Sequence, residues 1–254
     1  MISNELIQET MAYFHLHKSN RFVVSPSLPI LFFGDIDAYS RSSLKIVTVG
    51  KNPSDNEFKI NKDDPYSFCR FPDWSNSIES LTNCLKSYFK NKPLKQWFSC
   101  YEPILNGAES SYYDGAFKNR AIHTDLCSPL ATDPTWSKLT DIERDTLFSS
   151  GSNIWIKLIE DLQPDLILVS IPRQLFEKFF SGEANLLESF KFKEDGTARK
   201  KPYDVISKKY KFNSGKTATA VWGMPSNKPF DQISNRIRRI VGERLKDELL
   251  NVNI

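Results

Sequence analysis

Four short loops carry the residues best suited to chemistry. They read Gly50-Lys51-Asn52-Pro53-Ser54, Asp125-Leu126-Cys127-Ser128-Pro129, Ile171-Pro172 and Gly223-Met224-Pro225-Ser226-Asn227. Three of them set a proline beside a small polar residue, which suggests rigid turns that aim side chains and backbone amides at a shared cleft. An amide such as Asn52 is too weak a base to take a proton, but it can orient a water. For a dissociative reaction, orientation contributes more than deprotonation. The alternative is that Asn52-Pro53 only shapes a turn. Asp55 and Glu57 follow closely and could supply a carboxylate, or could be solvated or capping. His123 and Asp125 are two positions apart, so on a strand they share one face.

The elements that must position these loops follow from hydrophobic pattern. Segments 44–49, 120–124, 166–170 and 217–222 are short, largely apolar and not alternating, as expected of strands covered on both faces. Helical periodicity predicts helices over 77–89, 153–162, 173–180 and 232–250. Strands alternating with helices predict a single-domain, three-layer α/β/α fold around a central four-stranded, mostly parallel sheet. The expected domain spans 1–254, with 1–43 as a helical or extended lead-in and 191–216 as a basic insertion loop. In such sheets the site lies beyond the carboxyl ends of the strands, where the four loops stand.

Composition excludes several classes. The content of 40% hydrophobic and 13% aromatic residues is globular, and no apolar run is long enough to span a membrane. The N-terminus lacks a basic region followed by an apolar one, so a cytoplasmic location is expected. Cys69, Cys84, Cys100 and Cys127 form no CxxC pair and read as free thiols, some buried. A net charge of +3 permits a nucleic-acid partner without arguing for one.

The loops resemble motifs of the uracil-DNA glycosylase superfamily. IVTVGKNPS resembles its first motif, AVWGMPSNKPF its second, and IHTDLCSPL a strand whose Asn reads the flipped base. Order and spacing agree over roughly 44–230. SFCRFPDW followed by SLTNCLKSYF resembles the aromatic platform and the helix after it, with Phe68 stacking on the extruded base and Phe71 in reserve, unless either is simply core. The resemblance implies base flipping and hydrolysis of an N-glycosidic bond through an oxocarbenium-like state, with no metal or cofactor. Taken with the reading of the residues, it makes Asn52, Asp55 and His123 the expected catalytic residues. Gly50, Lys51, Phe68, Phe71 and Asp125 would bind the base. Pro53, Ser54, Ser226, Asn227, Lys228, Arg199, Lys200 and Lys201 would contact DNA.

Two departures from the family pattern bear on the substrate. Asp125 stands where uracil readers place Asn. A carboxylate only accepts hydrogen bonds, which suits the exocyclic amine of cytosine rather than uracil O4. The expected substrate is therefore a modified cytosine, such as the hydroxymethylated or glucosylated cytosine of phage DNA, and the expected role is defence. Alternatively Asp125 caps or tethers a loop. Met224 replaces the usual His or Asn of the second motif, and His123 could substitute for it or be merely a strand residue.

Basic residues cluster at Arg199-Lys200-Lys201 and Lys208-Lys209-Lys211, with Arg236, Arg238 and Arg239 beyond; they read as a phosphate-contacting surface or as a solvated face. Cys84 and Cys100 resemble half of a superfamily iron–sulfur pattern whose other half is missing, and no close pair of zinc ligands occurs. The expected partner is DNA, single- or double-stranded, bound by a monomer and without a membrane. A uracil or damaged-base repair enzyme, a non-catalytic DNA-damage-binding module and a nucleoside hydrolase remain as other readings.

Overall fold

The computed structural model describes residues 2–58, 60–61, 64–68, 70–115, 117–223 and 228–251, of which 60–61, 64–68 and 250–251 are described by backbone alone. In chain order the elements are α1 (Asn4–His17), α2 (Ile36–Ser40), β1 (Ile46–Gly50), β2 (Ile60–Asn61), β3 (Asp64–Phe68), α3 (Ile78–Ser87), α4 (Lys95–Phe98), α5 (Glu102–Gly107), β4 (Ser110–Ser111), β5 (Asn119–Asp125), α6 (Asp141–Leu162), β6 (Leu166–Val169), α7 (Arg173–Phe179), β7 (Ser181–Phe192), β8 (Ala198–Lys211), β9 (Thr217–Gly223) and α8 (Asn235–Asn251). Among the described residues, no helix is long and apolar enough to cross a membrane.

The chain is α/β, with a mixed sheet of order β4-β5-β1-β6-β9-β8-β7. The four expected strands are β5, β1, β6 and β9, neighbours in that order. β1 and β6 pair in parallel with Ile46 opposite Leu166, and β6 and β9 with Val169 opposite Trp222. Every residue of β1 and β6 is buried, which is why neither segment alternates.

The sheet has seven strands, not four. One addition is the two-residue β4, parallel to β5. The other two are β7 and β8, an antiparallel hairpin that extends the sheet beyond β9. The segment expected as a basic loop over 191–216 is therefore largely strand. Its middle is buried on both faces, with Tyr203 and 205–208 buried, Lys208 among them, whereas Lys200, Lys201, Lys209 and Lys211 towards its ends are exposed.

Two compact units share the chain. The first comprises Met1–Ile36, Gly50–Leu94 and Ile122–Leu162; the second Asp37–Val49, Lys95–Ala121 and Gln163–Ile254. The second holds most of the sheet, together with α5 and α8. There Gly107 and Gly242 let these two helices approach so closely that a β-carbon on either would lie 2.0 Å from a facing carbonyl oxygen. The first holds the carboxyl ends of β1 and β5, with α1, α3 and α6.

In the first unit α6 sets the loop after β5. It runs a dozen residues ahead of its expected start, beginning at a capping box in which Thr140 Oγ1 accepts from the Glu143 amide and Glu143 accepts from the Thr140 amide. Gly151 passes the loop where a β-carbon would stand 2.5 Å from the Cys127 carbonyl. Trp155 Nε1 donates to Thr124 Oγ1 at 3.1 Å, and Tyr13 pairs with Ser128 Oγ at 3.1 Å while donating to the Leu147 carbonyl at 2.8 Å. The loop is thus anchored from the helix side.

Candidate functional site

The loops that leave β1 and β5 are stitched together at the backbone. The Leu126 amide donates to the Gly50 carbonyl at 3.0 Å, and the Cys127 amide to the Lys51 carbonyl at 2.7 Å. His123 and Asp125 share a face of β5 as their spacing requires, with Nε2 and Oδ1 3.6 Å apart. That is too long for a hydrogen bond. Both side chains lie directly over Gly50, where a β-carbon would fall 2.4 Å from Asp125 Oδ1 and 3.3 Å from His123 Nε2. Position 50 is glycine because a carboxylate occupies the place of its side chain.

Asn52 is held by its nitrogen. Nδ2 faces the Pro53 carbonyl at 3.1 Å, the Leu130 carbonyl at 3.2 Å and Thr132 Oγ1 at 3.1 Å. Two carbonyls can only accept, so the amide orientation is dictated by its partners. Oδ1 is thereby turned away as an acceptor, and the half-buried residue can present it to a water. The clamp continues in a bridge between Ser54 and Thr132. Pro53 is buried. Ser54 Oγ accepts from the Asn56 amide at 3.1 Å and donates to Asp55 Oδ1 at 3.0 Å, so Ser54 and Asp55 shape the 3-10 turn Asp55–Phe58. Lys51 is half-buried and lies near the Cys127 thiol. Burial and Asp125 push that thiol well up, more than Lys51 offsets, so Cys127 is a protonated core residue rather than a nucleophile.

Behind the turn lies a buried group for which the sequence offered only a general role. Glu57 is 3% exposed and accepts a 2.7 Å hydrogen bond from the Tyr88 hydroxyl. Arg70 Nε stands 3.4 Å from its Oε2 without completing a hydrogen bond, while Arg70 Nη1 donates to the Asn56 carbonyl at 2.9 Å. Burial pushes the Glu57 carboxyl up to about 7, opposed by Tyr88 and Arg70 and reinforced by the charge of Asp125. Tyr88 is pushed up too, by burial and by Glu57, so it remains a donor. The Tyr88 oxygen also accepts from the Leu94 amide at 2.9 Å. This network fixes the turn that follows Asn52 to the end of α3.

Phe71 belongs to the core. At 1% exposure it stacks on Phe58 at 5.6 Å and on Tyr88 at 5.9 Å, and Phe33 stands stacked between Tyr88, at 3.8 Å, and the His123 ring, at 6.3 Å. No face of Phe71 is open to a base in this conformation. Phe68 ends β3, and its side chain lies outside the described residues, as do Cys69, Met224, Ser226 and Asn227. The described cysteines, Cys84, Cys100 and Cys127, are free and buried.

In the second unit the basic residues divide by environment. Lys200, Lys201 and Lys228 are exposed. Arg199 is spent on carbonyls, donating to Phe192 at 3.3 Å and to Gln232. Lys208 is buried and ion-paired with Glu177, and Arg238 is buried against the carbonyls of Ile233 at 2.8 Å and Cys100 at 3.3 Å. Only part of the charge run is therefore available to a polyanion. Among the described residues, no group of three or more His, Cys, Asp or Glu is arranged to hold a metal ion.

No family model matches the chain, and none of the curated proteins matches it.

Proposed function

We propose that the protein is a DNA glycosylase of the uracil-DNA glycosylase type, acting on a modified cytosine. The observation that carries this reading is the loop Gly50–Asn52: a buried carboxylate, Asp125, is seated on its glycine, and two residues on, its amide is clamped by the nitrogen. In the proposed reaction the nucleotide is extruded and the bond from C1′ to the base breaks, its electron pair leaving with the base. Asn52 Oδ1 accepts a hydrogen bond from the water whose oxygen then bonds to C1′, and the proton lost by that water balances the one gained by the base. Asp125 accepts from the exocyclic amine, and its charge also favours the cationic sugar. His123 is the neighbouring group suited to a hydrogen bond with the departing base. Asp55 supports the turn rather than the chemistry.

Exposed Lys200, Lys201 and Lys228 suit contact with phosphates, and a role in defence follows if the modification marks foreign DNA. The test is a panel of single-stranded and duplex oligonucleotides containing cytosine, hydroxymethylcytosine, glucosylated hydroxymethylcytosine or uracil, each followed by alkaline cleavage. Strand breaks at a modified cytosine are expected. Breaks only at uracil would overturn the substrate assignment, and DNA binding without breaks would make the protein a non-catalytic binder.

A further inference from the structure

The first unit contains an open cleft of about 970 Å³ that the proposed chemistry leaves unused. Its volume is that of a small-molecule site. One wall is apolar and aromatic, formed by Phe14, Phe58 and the half-buried Trp74. The rim is polar, with Asn20, Asn76, Asp55 and Asp133. Charge balances: Lys18 and Arg21 stand against Asp55 and Asp133. Both cations are already engaged, Lys18 over the Phe14 ring at 5.8 Å and Arg21 with Glu143 at 3.3 Å. A groove that tracks phosphates carries an excess of unspent cations, and this one does not.

An aromatic wall beside carboxylates and amides fits a neutral ligand that presents a C–H face and many hydroxyls, each of which donates one hydrogen bond and accepts two. The cleft is also tied to the Asn52 clamp. Asp133 follows Thr132, which accepts from Asn52, and Asp55 follows Ser54, which bridges to Thr132. A ligand here would sit on the same two loops that orient the water.

We propose that this cleft binds a hexose unit, through Trp74 and the Asp133 and Asn20 rim, and that it reads a sugar carried by the target base. Only the second clause rests on the glycosylase reading. The first is tested on the intact chain by saturation-transfer NMR with methyl α- and β-glucosides, alongside inorganic phosphate and an unmodified oligodeoxynucleotide. Glucoside signals are expected, and Trp74→Leu and Asp133→Asn should each weaken them at least tenfold while leaving the melting temperature unchanged. Both side chains reach the surface, and a variant that failed to fold would be replaced by Asn20→Ala. No glucoside signal, a signal retained in all these variants, or displacement by phosphate or oligonucleotide would overturn the assignment. The second clause is read from rates: Trp74→Leu should slow base release from glucosylated hydroxymethylcytosine at least tenfold relative to hydroxymethylcytosine. Equal slowing on both would overturn it without touching the glycosylase reading. Glucoside binding with no abasic sites on any substrate would instead overturn the glycosylase reading and leave the cleft assigned.

Discussion

The clamp around Asn52 and the basic β7–β8 hairpin both carry polar side chains, yet they hold them in opposite ways. In the clamp, Asn52 and Glu57 have short, directional partners, Leu130 and Thr132 for the one and Tyr88 for the other, and Asp125 is packed on Gly50. In the hairpin, the charges split between buried structural ones, such as Lys208, and exposed ones, such as Lys200 and Lys201. Fixed geometry suits a transition state, where an ångström matters. Exposed charge suits a phosphate backbone, where sign and proximity suffice. The contrast assigns chemistry to one region and generic affinity to the other.

Substitutions can break that contrast. Apart from Asn52 itself, the largest effect is expected from Gly50→Ala, whose methyl group would stand 2.4 Å from Asp125 Oδ1. Displacing that carboxylate should lower base release on the order of 100-fold and cost about 1–3 kcal/mol of stability through overpacking. Single-turnover kinetics and denaturant melts on the same preparation would show both.

Glu57 comes next. Its carboxyl rises from an ordinary 4.5 to about 7 in the folded state, so the native protein holds that proton more tightly than the unfolded chain. The associated stability is present below pH 4.5 and is lost as pH rises through 7, a difference of about 3 kcal/mol at 1.36 kcal/mol per pH unit. Glu57→Gln should flatten that part of the stability–pH curve, as followed by denaturant melts. An unchanged slope would contradict the buried-acid assignment.

Asp125→Asn should shift preference from a cytosine-type base towards uracil by about 1–3 kcal/mol, read as a ratio of kcat/KM values. The smallest effect belongs to the hairpin. Lys200→Ala with Lys201→Ala should weaken DNA binding about tenfold near physiological salt and reduce the salt slope by about one per lost phosphate contact, without altering base preference. A change in base preference would break the division between the two regions.

How far the sequence reveals this arrangement depends on the range of the interactions. The four central strands were legible because burial on both faces leaves apolar runs, as in 166–169. That His123 and Asp125 share one face followed from strand periodicity. The hairpin was not legible, because the buried stretch 203–208 is flanked by basic clusters at 199–201 and 208–211 that read as a solvated run. The true start of α6 was signalled by Thr140 and Glu143, but Ile142 and Leu147 are too sparse to show periodicity ahead of Gly151. Tyr88 and Arg70 converge on Glu57 only through the fold, as do the loops that hold Asn52, and no local spacing encodes either contact. Phe71 illustrates the converse: an aromatic beside a motif looks available for stacking until its neighbours Phe33, Phe58 and Tyr88 are assembled around it.

The central claim is that the clamped Asn52 orients the water that releases a modified cytosine. It is tested most directly by the single-turnover rate of abasic-site formation on glucosylated hydroxymethylcytosine DNA, wild type against Asn52→Ala. The expected result is a loss of about 1,000-fold with DNA affinity unchanged. Equal rates in the two proteins, or no abasic sites from either, would contradict it.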